Sequence, residues 1–288
     1  MEKYQSIVRH GKSGTHLTIE GNPHIVIQEK LDGANASFKV ENGQLKCFSR
    51  NAELDEKNGL RGFYQWAHGH FKSNKPFEGL IFYGEWLVKH KLSYGENENQ
   101  FYLFDIYDLS KEEYLPYSEI YDAAYQLGLN VIPVFYEGEY KSIEHIQSFI
   151  GKSTLGEIGE GVVVKNVNYR DKYGKQVFTK FVSDEFAEMQ KVKKHKLNTN
   201  KDDLQDYIDS VVSKARVSKM MHKLVDEGLL REDYAIEDMG AILKNTGSRV
   251  YDDVIKEELD ELLKLLKSKI GRKVPLVVKE LLTEEGRM

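Results

Sequence analysis

Short apolar runs bounded by turn residues fill the first two thirds of the chain. Ile25-Val26-Ile27, Leu80-Ile81-Phe82-Tyr83, Phe101-Tyr102-Leu103-Phe104 and Val162-Val163-Val164 are β-branched or aromatic and are flanked by Gly, Asn or Asp. Such runs predict strands, some of them buried on both faces. Asn42-Gly43, between segments 36–40 and 44–48, predicts a hairpin, because a type I′ turn needs φ > 0 at both central residues. Two helices are predicted among the strands, over Tyr117–Gln126 and Ile143–Ile150, with Gly128 and Gly151 as their left-handed caps.

From Glu185 onward the period changes from two to that of a helix. Leu204, Ile208, Val211 and Val212 share one face, as do Val217, Met220, Met221, Leu224 and Val225. Ile236, Met239, Ile242 and Leu243 repeat the pattern, and so do Val254, Ile255, Leu259, Leu262, Leu263 and Leu266. Residues 191–200 are polar, basic and aperiodic. The pattern therefore predicts a mixed α+β domain over 1–190, a linker over 191–200 and a helical domain over 201–288.

Composition narrows the class. With 288 residues, 40% hydrophobic and 30% charged, the chain can bury a real core without staples. Its single cysteine, Cys47, excludes an internal disulfide framework and a Cys₄ or Cys₂His₂ zinc site within one chain, and reads as a packing residue. The N-terminus has no signal-like apolar region, and no run approaches the roughly 18 apolar residues of a membrane span. A soluble, cytoplasmic protein is expected. The net charge of −5 argues against binding nucleic acid by bulk positive charge, yet leaves room for a local basic track. The acidity lies in front: residues 1–190 sum to −6 and the remainder to +1. An acidic domain that handles phosphate would use its carboxylates for metal.

The candidate chemistry begins at Glu29-Lys30-Leu31-Asp32-Gly33-Ala34-Asn35, directly after an apolar strand. A lysine there can be held partly desolvated against a pocket, which lowers its pKa and frees a nucleophilic amine. Gly33 would permit close approach of a nucleotide. Read alone, the segment is equally an ordinary turn with a solvated lysine. Further charged groups follow at strand ends: Arg50 in Phe48-Ser49-Arg50-Asn51, Glu85 in Phe82-Tyr83-Gly84-Glu85-Trp86, and Asp105 after Phe104. Glu160 and Lys165 bracket Gly161-Val162-Val163-Val164, and Lys180 lies in Phe178-Thr179-Lys180-Phe181. Any one of them fits a structural ion pair, since charges enter strands only when paired or functional. Five such segments in this order fit a nucleotide-transfer site.

The set resembles the covalent nucleotidyltransferase superfamily of ATP-dependent ligases and mRNA capping enzymes, and within it the phage-type RNA ligases that seal nicks in duplex RNA. The resemblance runs through the front domain, and the tail is similar at Ala215-Arg216-Val217-Ser218-Lys219. Asn35 stands where DNA ligases and capping enzymes usually carry arginine, whereas Asp32 follows the general superfamily pattern. The fold implied is α+β: an ATP-grasp-like nucleotidyltransferase domain of antiparallel sheets with flanking helices, followed by a small all-helical domain.

The resemblance further implies that Lys30 takes AMP from ATP, and that the nucleotide is bound by Glu29, Lys30, Asn35, Arg50, Glu85, Phe104, Lys165 and Lys180. Arg50 would grip phosphate, Glu85 the ribose, and Phe104 the adenine by stacking. Asp105 would organise the site and the terminal ribose. Glu160 would bind Mg²⁺ or Mn²⁺, while Lys165 and Lys180 neutralise phosphate charge. The implied catalytic set is Lys30, Arg50, Glu85, Asp105, Glu160 and Lys180. RNA is the implied partner, with no membrane and no obligatory protein partner, in the cytoplasm of a bacterium or a phage-infected cell.

One departure stands out. The family commonly has Lys-x-Lys in its last motif, but here Lys180 is followed by Phe181-Val182. Either Lys165 or Lys175 compensates, or the first chemical step is slower, or the alignment of this motif is one strand residue out; Lys180 is expected to be essential. A DNA ligase would usually add a β-rich OB barrel, which the helical tail disfavours. A GTP-using capping enzyme is disfavoured on the same ground and by Asn35. A non-catalytic nucleic-acid-binding module would bind through the tail and through Lys191, Lys193, Lys194 and Lys196.

Overall fold

The protein, seen in a computed structural model, is described over residues 3–11, 14–183, 203–285 and 287. The expected linker and its lysines lie outside the described residues. The chain divides into two compact units, residues 1–186 with 222–234, and residues 187–221 with 235–288. Among the described residues no helix is long and apolar enough to cross a membrane.

The first unit is α+β and is built on two largely antiparallel sheets. In chain order its strands are β1 (Val8–Arg9), β2 (His24–Lys30), β3 (Ala34–Glu41), β4 (Gln44–Ser49), β5 (Leu80–Trp86), β6 (Phe101–Asp108), β7 (Glu113–Tyr114), β8 (Asn130–Val131), β9 (Val134–Glu139), β10 (Gly161–Lys165) and β11 (Thr179–Val182). One sheet has the order β1-β11-β10-β2-β9, with β1 parallel to β11. The other runs β4-β3-β5-β6-β7, with β8 beside β6. Asn42 (φ 53°) and Gly43 (φ 71°) form the two-residue turn between β3 and β4, as expected of a type I′ hairpin.

Strand parity distributes the apolar side chains among three cores. Ile25, Ile27, Val162, Val164 and Phe181 cover the outer face of the first sheet, beneath α3 (Ile143–Gln147). Ala36, Phe38, Phe82, Phe101 and Leu103 cover the outer face of the second, beneath α1 (Phe63–His70) and α2 (Tyr117–Leu127). Leu31, Tyr83, Phe104, Val163 and Phe178 lie between the two sheets. Both predicted helices are present. Gly128 (φ 64°) ends α2 as expected, whereas α3 stops at Gln147 and turns before Gly151. Nothing in the pattern pointed to α1, because Phe-Tyr-Gln-Trp-Ala-His-Gly-His is aromatic and carries a glycine, a poor advertisement for a helix. Burial of Phe63 and Ala67 overrides that weak propensity.

The helical segments are α4 (Asp203–Val211), α5 (Lys214–Asp226) and α6 (Met239–Glu284). The last has 46 residues and runs through Pro275, which cannot donate the backbone hydrogen bond of its turn. Its buried stripe is Ile242, Thr246, Val250, Val254 and Glu258. Several positions expected to be core are instead exposed, namely Ile236, Met239, Leu243, Leu259, Leu263 and Leu266. A four-residue spacing, not the 3.6-residue average, selects the face that packs. Within the second unit Arg216 is fully buried, giving Nη1 to the Val211 carbonyl (2.7 Å), Nε to Asp253 (3.0 Å) and Nη2 to Glu258 (3.1 Å).

Candidate active site

Residues paired across a sheet share a face, so register shows where the charged side chains stand. On the first sheet Lys30 is opposite Gly161, which is opposite Val182. Gln28 is opposite Val163, Val163 opposite Lys180, and Lys180 opposite Arg9. Because Val163 belongs to the core between the sheets, Lys30, Gln28, Lys180 and Arg9 all belong to that wall. On the second sheet Asn35 is opposite Glu85, on the face opposed to that of Ala34 and Ala36. These two walls bring most of the sequence-predicted residues to one cleft.

Lys30 ends β2 with its Nζ 2.5 Å from Glu160 Oε2. Burial pulls its pKa down, but Glu160, then Glu85 and Asp32, outweigh that and hold the ammonium above its ordinary range. The expected lowered pKa is thus reversed in the empty cleft, since three carboxylates surround one amine. Burial raises the Glu160 carboxyl, with Lys30 opposing. The Glu85 carboxyl is pushed up to about 7 by burial, again opposed by Lys30.

Glu85 accepts a hydrogen bond from the Gly33 amide at 3.0 Å, which ties β5 to the turn after Lys30. Asp32 accepts from the amides of Lys91 (2.9 Å) and Leu92 (3.0 Å). A Cβ on Gly33 would lie 2.6 Å from the Trp86 carbonyl oxygen. The close approach of β5 is therefore by itself enough to require glycine here.

Three expectations change in detail. The Glu29 side chain is fully buried and accepts from the Ser153 hydroxyl and from the amide and hydroxyl of Thr154 (both 3.0 Å). It fixes that loop, while its amide donates to the Pro133 carbonyl at 2.9 Å. Lys165 is 4% exposed and donates to Asp105 Oδ2 (2.7 Å) and to the Phe104 carbonyl (2.8 Å). Its charge is taken up inside the protein, and burial lowers its pKa. Asp105 is fully buried, its Oδ2 shared by Lys165 and the Tyr4 hydroxyl, while its Oδ1 is buried without a hydrogen-bond partner.

Phe104 is 8% exposed and packs against Tyr4, ring centroids 4.8 Å apart. Arg50 follows the last residue of β4 and donates to Ser6 Oγ at 3.3 Å. Cys47 is buried and its thiol pushed up to about 12 by burial, in keeping with packing. Lys175 is exposed, in a turn held by Asp171.

The sequence reading missed Tyr4, Arg9, Gln28 and His90. Gln28 carried a signal, a polar residue within an all-apolar strand. His90 is 7% exposed at its side chain, 3.2 Å from Asp226 and 3.8 Å from Asp32. Burial works against its charge, but Asp226, Asp32 and Glu85 outweigh it and raise the pKa.

Among the described residues no group of three or more His, Cys, Asp or Glu side chains is arranged to hold a metal ion. The carboxylates of Glu160 and Glu85 are hard oxygen donors beside Lys30, which suits Mg²⁺ or Mn²⁺ carried in on phosphate and water, and not a dedicated protein cage.

A family model described as RNA ligase matches residues 23–182, more than half of the chain. No curated relative matches. Among solved structures, a ligand-free aspartate-to-alanine variant of the Naegleria gruberi RNA ligase is 21% identical with a TM-score of 0.47, covering 64% of this chain and 56% of that one. A lysine-to-alanine variant of the same ligase, solved with ATP and manganese, is 22% identical with a TM-score of 0.48, covering 65% and 56%. A glutamate-to-alanine variant solved with AMP and manganese is 20% identical with a TM-score of 0.46, covering 65% and 57%. The chain spans a little over half the length of these ligases. The matched segment contains every one of the expected site residues, from Glu29 to Lys180, and this chain belongs to the RNA ligase family.

Proposed function

We propose that the protein is an ATP-dependent RNA ligase joining a 3′-hydroxyl to a 5′-phosphate, at nicks in duplex RNA, through an adenylate on Lys30. The observation that carries this is the Lys30 amine at the end of β2, facing Glu160 at 2.5 Å in a cleft that also presents Asn35 and Glu85. A surface lysine needs no such enclosure, whereas an amine that must attack phosphorus needs a place to leave its proton.

In the first transfer the ammonium gives a proton to Glu160, the nearest acceptor. The freed lone pair attacks the α-phosphorus of ATP. A P–N bond forms and the P–O bond to pyrophosphate breaks. In the second transfer an oxygen of the RNA 5′-phosphate attacks that phosphorus, the P–N bond breaks and Lys30 regains its proton. In the third the 3′-hydroxyl attacks the adenylated 5′-phosphate, AMP leaves and the phosphodiester closes. Arg50 and Lys180 offset phosphate charge, Asn35 and Glu85 orient the nucleotide, and Phe104 lines the base pocket. Glu160 before it takes the proton, and Glu85, would hold a divalent cation together with the nucleotide phosphates, and that charge would help neutralise the leaving pyrophosphate.

The test is incubation with α-labelled ATP or GTP and magnesium, followed by a denaturing gel. Label retained from ATP and lost in Lys30→Ala is expected. Label from GTP instead would point to capping chemistry, and no label from either would overturn the reading. Sealing of a nicked RNA duplex in preference to nicked DNA is the second expected outcome.

A further inference from the structure

Several buried donors among the described residues have no hydrogen-bond partner. Arg9 Nε and Nη2, Gln28 Nε2 and Gln5 Nε2 are all buried without a hydrogen-bond partner. Gln28 is 1% exposed. Unpaired buried donors are rare in native proteins and mark places where a ligand or ion completes them.

Register puts two of these residues in one row. Arg9 is opposite Lys180, Lys180 opposite Val163, and Val163 opposite Gln28. The neighbours confirm the face: Ile7, Val163 and Phe178 belong to the core between the sheets, while His10 lies on the other side, stacked on Phe181 at 4.5 Å. Lys180 acts on the same centre as Lys30, since its charge lowers the Glu160 pKa. Position 182, where a second lysine is usual, is Val182, opposite Gly161. Of the two lysines that were expected to replace it, Lys165 is bonded to Asp105 and Lys175 is exposed in a turn.

We propose that Arg9 is the second phosphate-binding cation of the cleft, standing beside Lys180 in place of the missing lysine, with Gln28 at the other end of the same row. A guanidinium fork and an amide N–H suit a phosphate group with several acceptor oxygens. That phosphate belongs either to the nucleotide or to the 5′ end of the RNA. The proposal rests on the ligase reading for its role, but not for the anion site itself. Arg9 also lies outside the segment matched by the family model.

The test uses the full chain carrying Lys30→Ala, which cannot form the adduct, with and without Arg9→Gln or Arg9→Lys. Each protein is titrated calorimetrically with pyrophosphate, with ATP and magnesium, and with nicked duplex RNA bearing a 5′-phosphate or a 5′-hydroxyl. We expect Arg9→Gln to lose about tenfold or more in affinity, with Arg9→Lys recovering part of it. That size is expected because bidentate charged contacts are the strong ones. Loss toward pyrophosphate and ATP assigns the site to the nucleotide. Loss confined to the 5′-phosphate nick assigns it to the RNA end. Equal affinities with and without the arginine, or no binding of any of these ligands by the parent, overturn the proposal.

Folding supplies a separate readout. Arg9→Met is expected to melt at or above the parent's temperature, because two buried nitrogens of the half-buried Arg9 lack a hydrogen-bond partner. A lower melting temperature with unchanged binding would make Arg9 merely structural and would also overturn the proposal. If the unmodified chain takes up no adenylate and yet Arg9→Gln loses pyrophosphate, the anion site stands and the ligase reading falls.

Discussion

At the residue scale the cleft is governed by how few cations serve how many carboxylates. Glu85 faces Lys30, His90 and Glu160, and its carboxyl is pushed up to about 7 by burial. A raised carboxyl favours the neutral form in the folded protein. Its stabilising contribution is therefore full below the ordinary value of about 4.3 and is lost as pH rises through about 7. Urea denaturation across this range should show stability falling between pH 4.5 and 7 in the parent and falling less in Glu85→Gln. Parallel curves would refute this account of Glu85. Lys30, Glu85 and Glu160 were legible in the sequence because a charge at the end of an apolar strand is out of place without a purpose. Asp105 and Lys165 were legible as charges but not as a pair: 60 residues apart, they each looked like a ligand-binding group, and only the packing of one sheet on the other, β6 in one and β10 in the other, joins them. Tyr4 and Arg9 gave no sign, since a two-residue strand such as β1 has no period to read.

At the element scale the site depends on how closely β10 approaches β11. A Cβ added to Gly161 would stand 2.1 Å from the Phe181 carbonyl oxygen and 2.8 Å from Val182 Cα. Both are backbone atoms of the strand that carries Lys180, and neither can swing aside. Gly161→Ala should therefore part the two strands and cost about 1–3 kcal/mol, read as a lower melting temperature together with weaker adenylation. An unchanged melting temperature would mean that the strands are not so close. The β3–β4 hairpin was legible because Asn-Gly admits few other turns. The exposed positions of α6 were misread because an average helical period marks a broad face, while packing at Ile242, Thr246, Val250 and Val254 uses a narrow one.

At the scale of the whole molecule, an α+β part followed by a helical one was legible from the change of period near residue 185. The grouping of residues 222–234 with the first unit was not. Within that unit Asp226 pairs with His90 and, at 3.7 Å, with Arg61, while Glu232 also pairs with Arg61. These charges are far apart in sequence and on an otherwise ordinary amphipathic helix and turn, so no local pattern foretells their partners. The helical unit has its own internal tie in Arg216. Removing this guanidinium takes the buried cation away from Glu258 and leaves Asp253 only Lys219, at 3.4 Å, and losing one member of a buried charge cluster costs about 3–5 kcal/mol. Arg216→Ala should lower the melting temperature of the helical signal by circular dichroism, while Lys264→Ala, from an exposed i, i+3 pair, should leave it in place. A stable Arg216→Ala would show that the cluster contributes little.

The contact between Lys30 and Glu160 has a consequence for how the resting protein meets other electrophiles. An amine stored as ammonium has no lone pair to offer, so acylating agents, reducing sugars and aldehydes that scavenge lysines would find this one inert. Under the proposed function its reactivity is released only when the proton passes to Glu160, so the proposed nucleophile is a quiet amine until then.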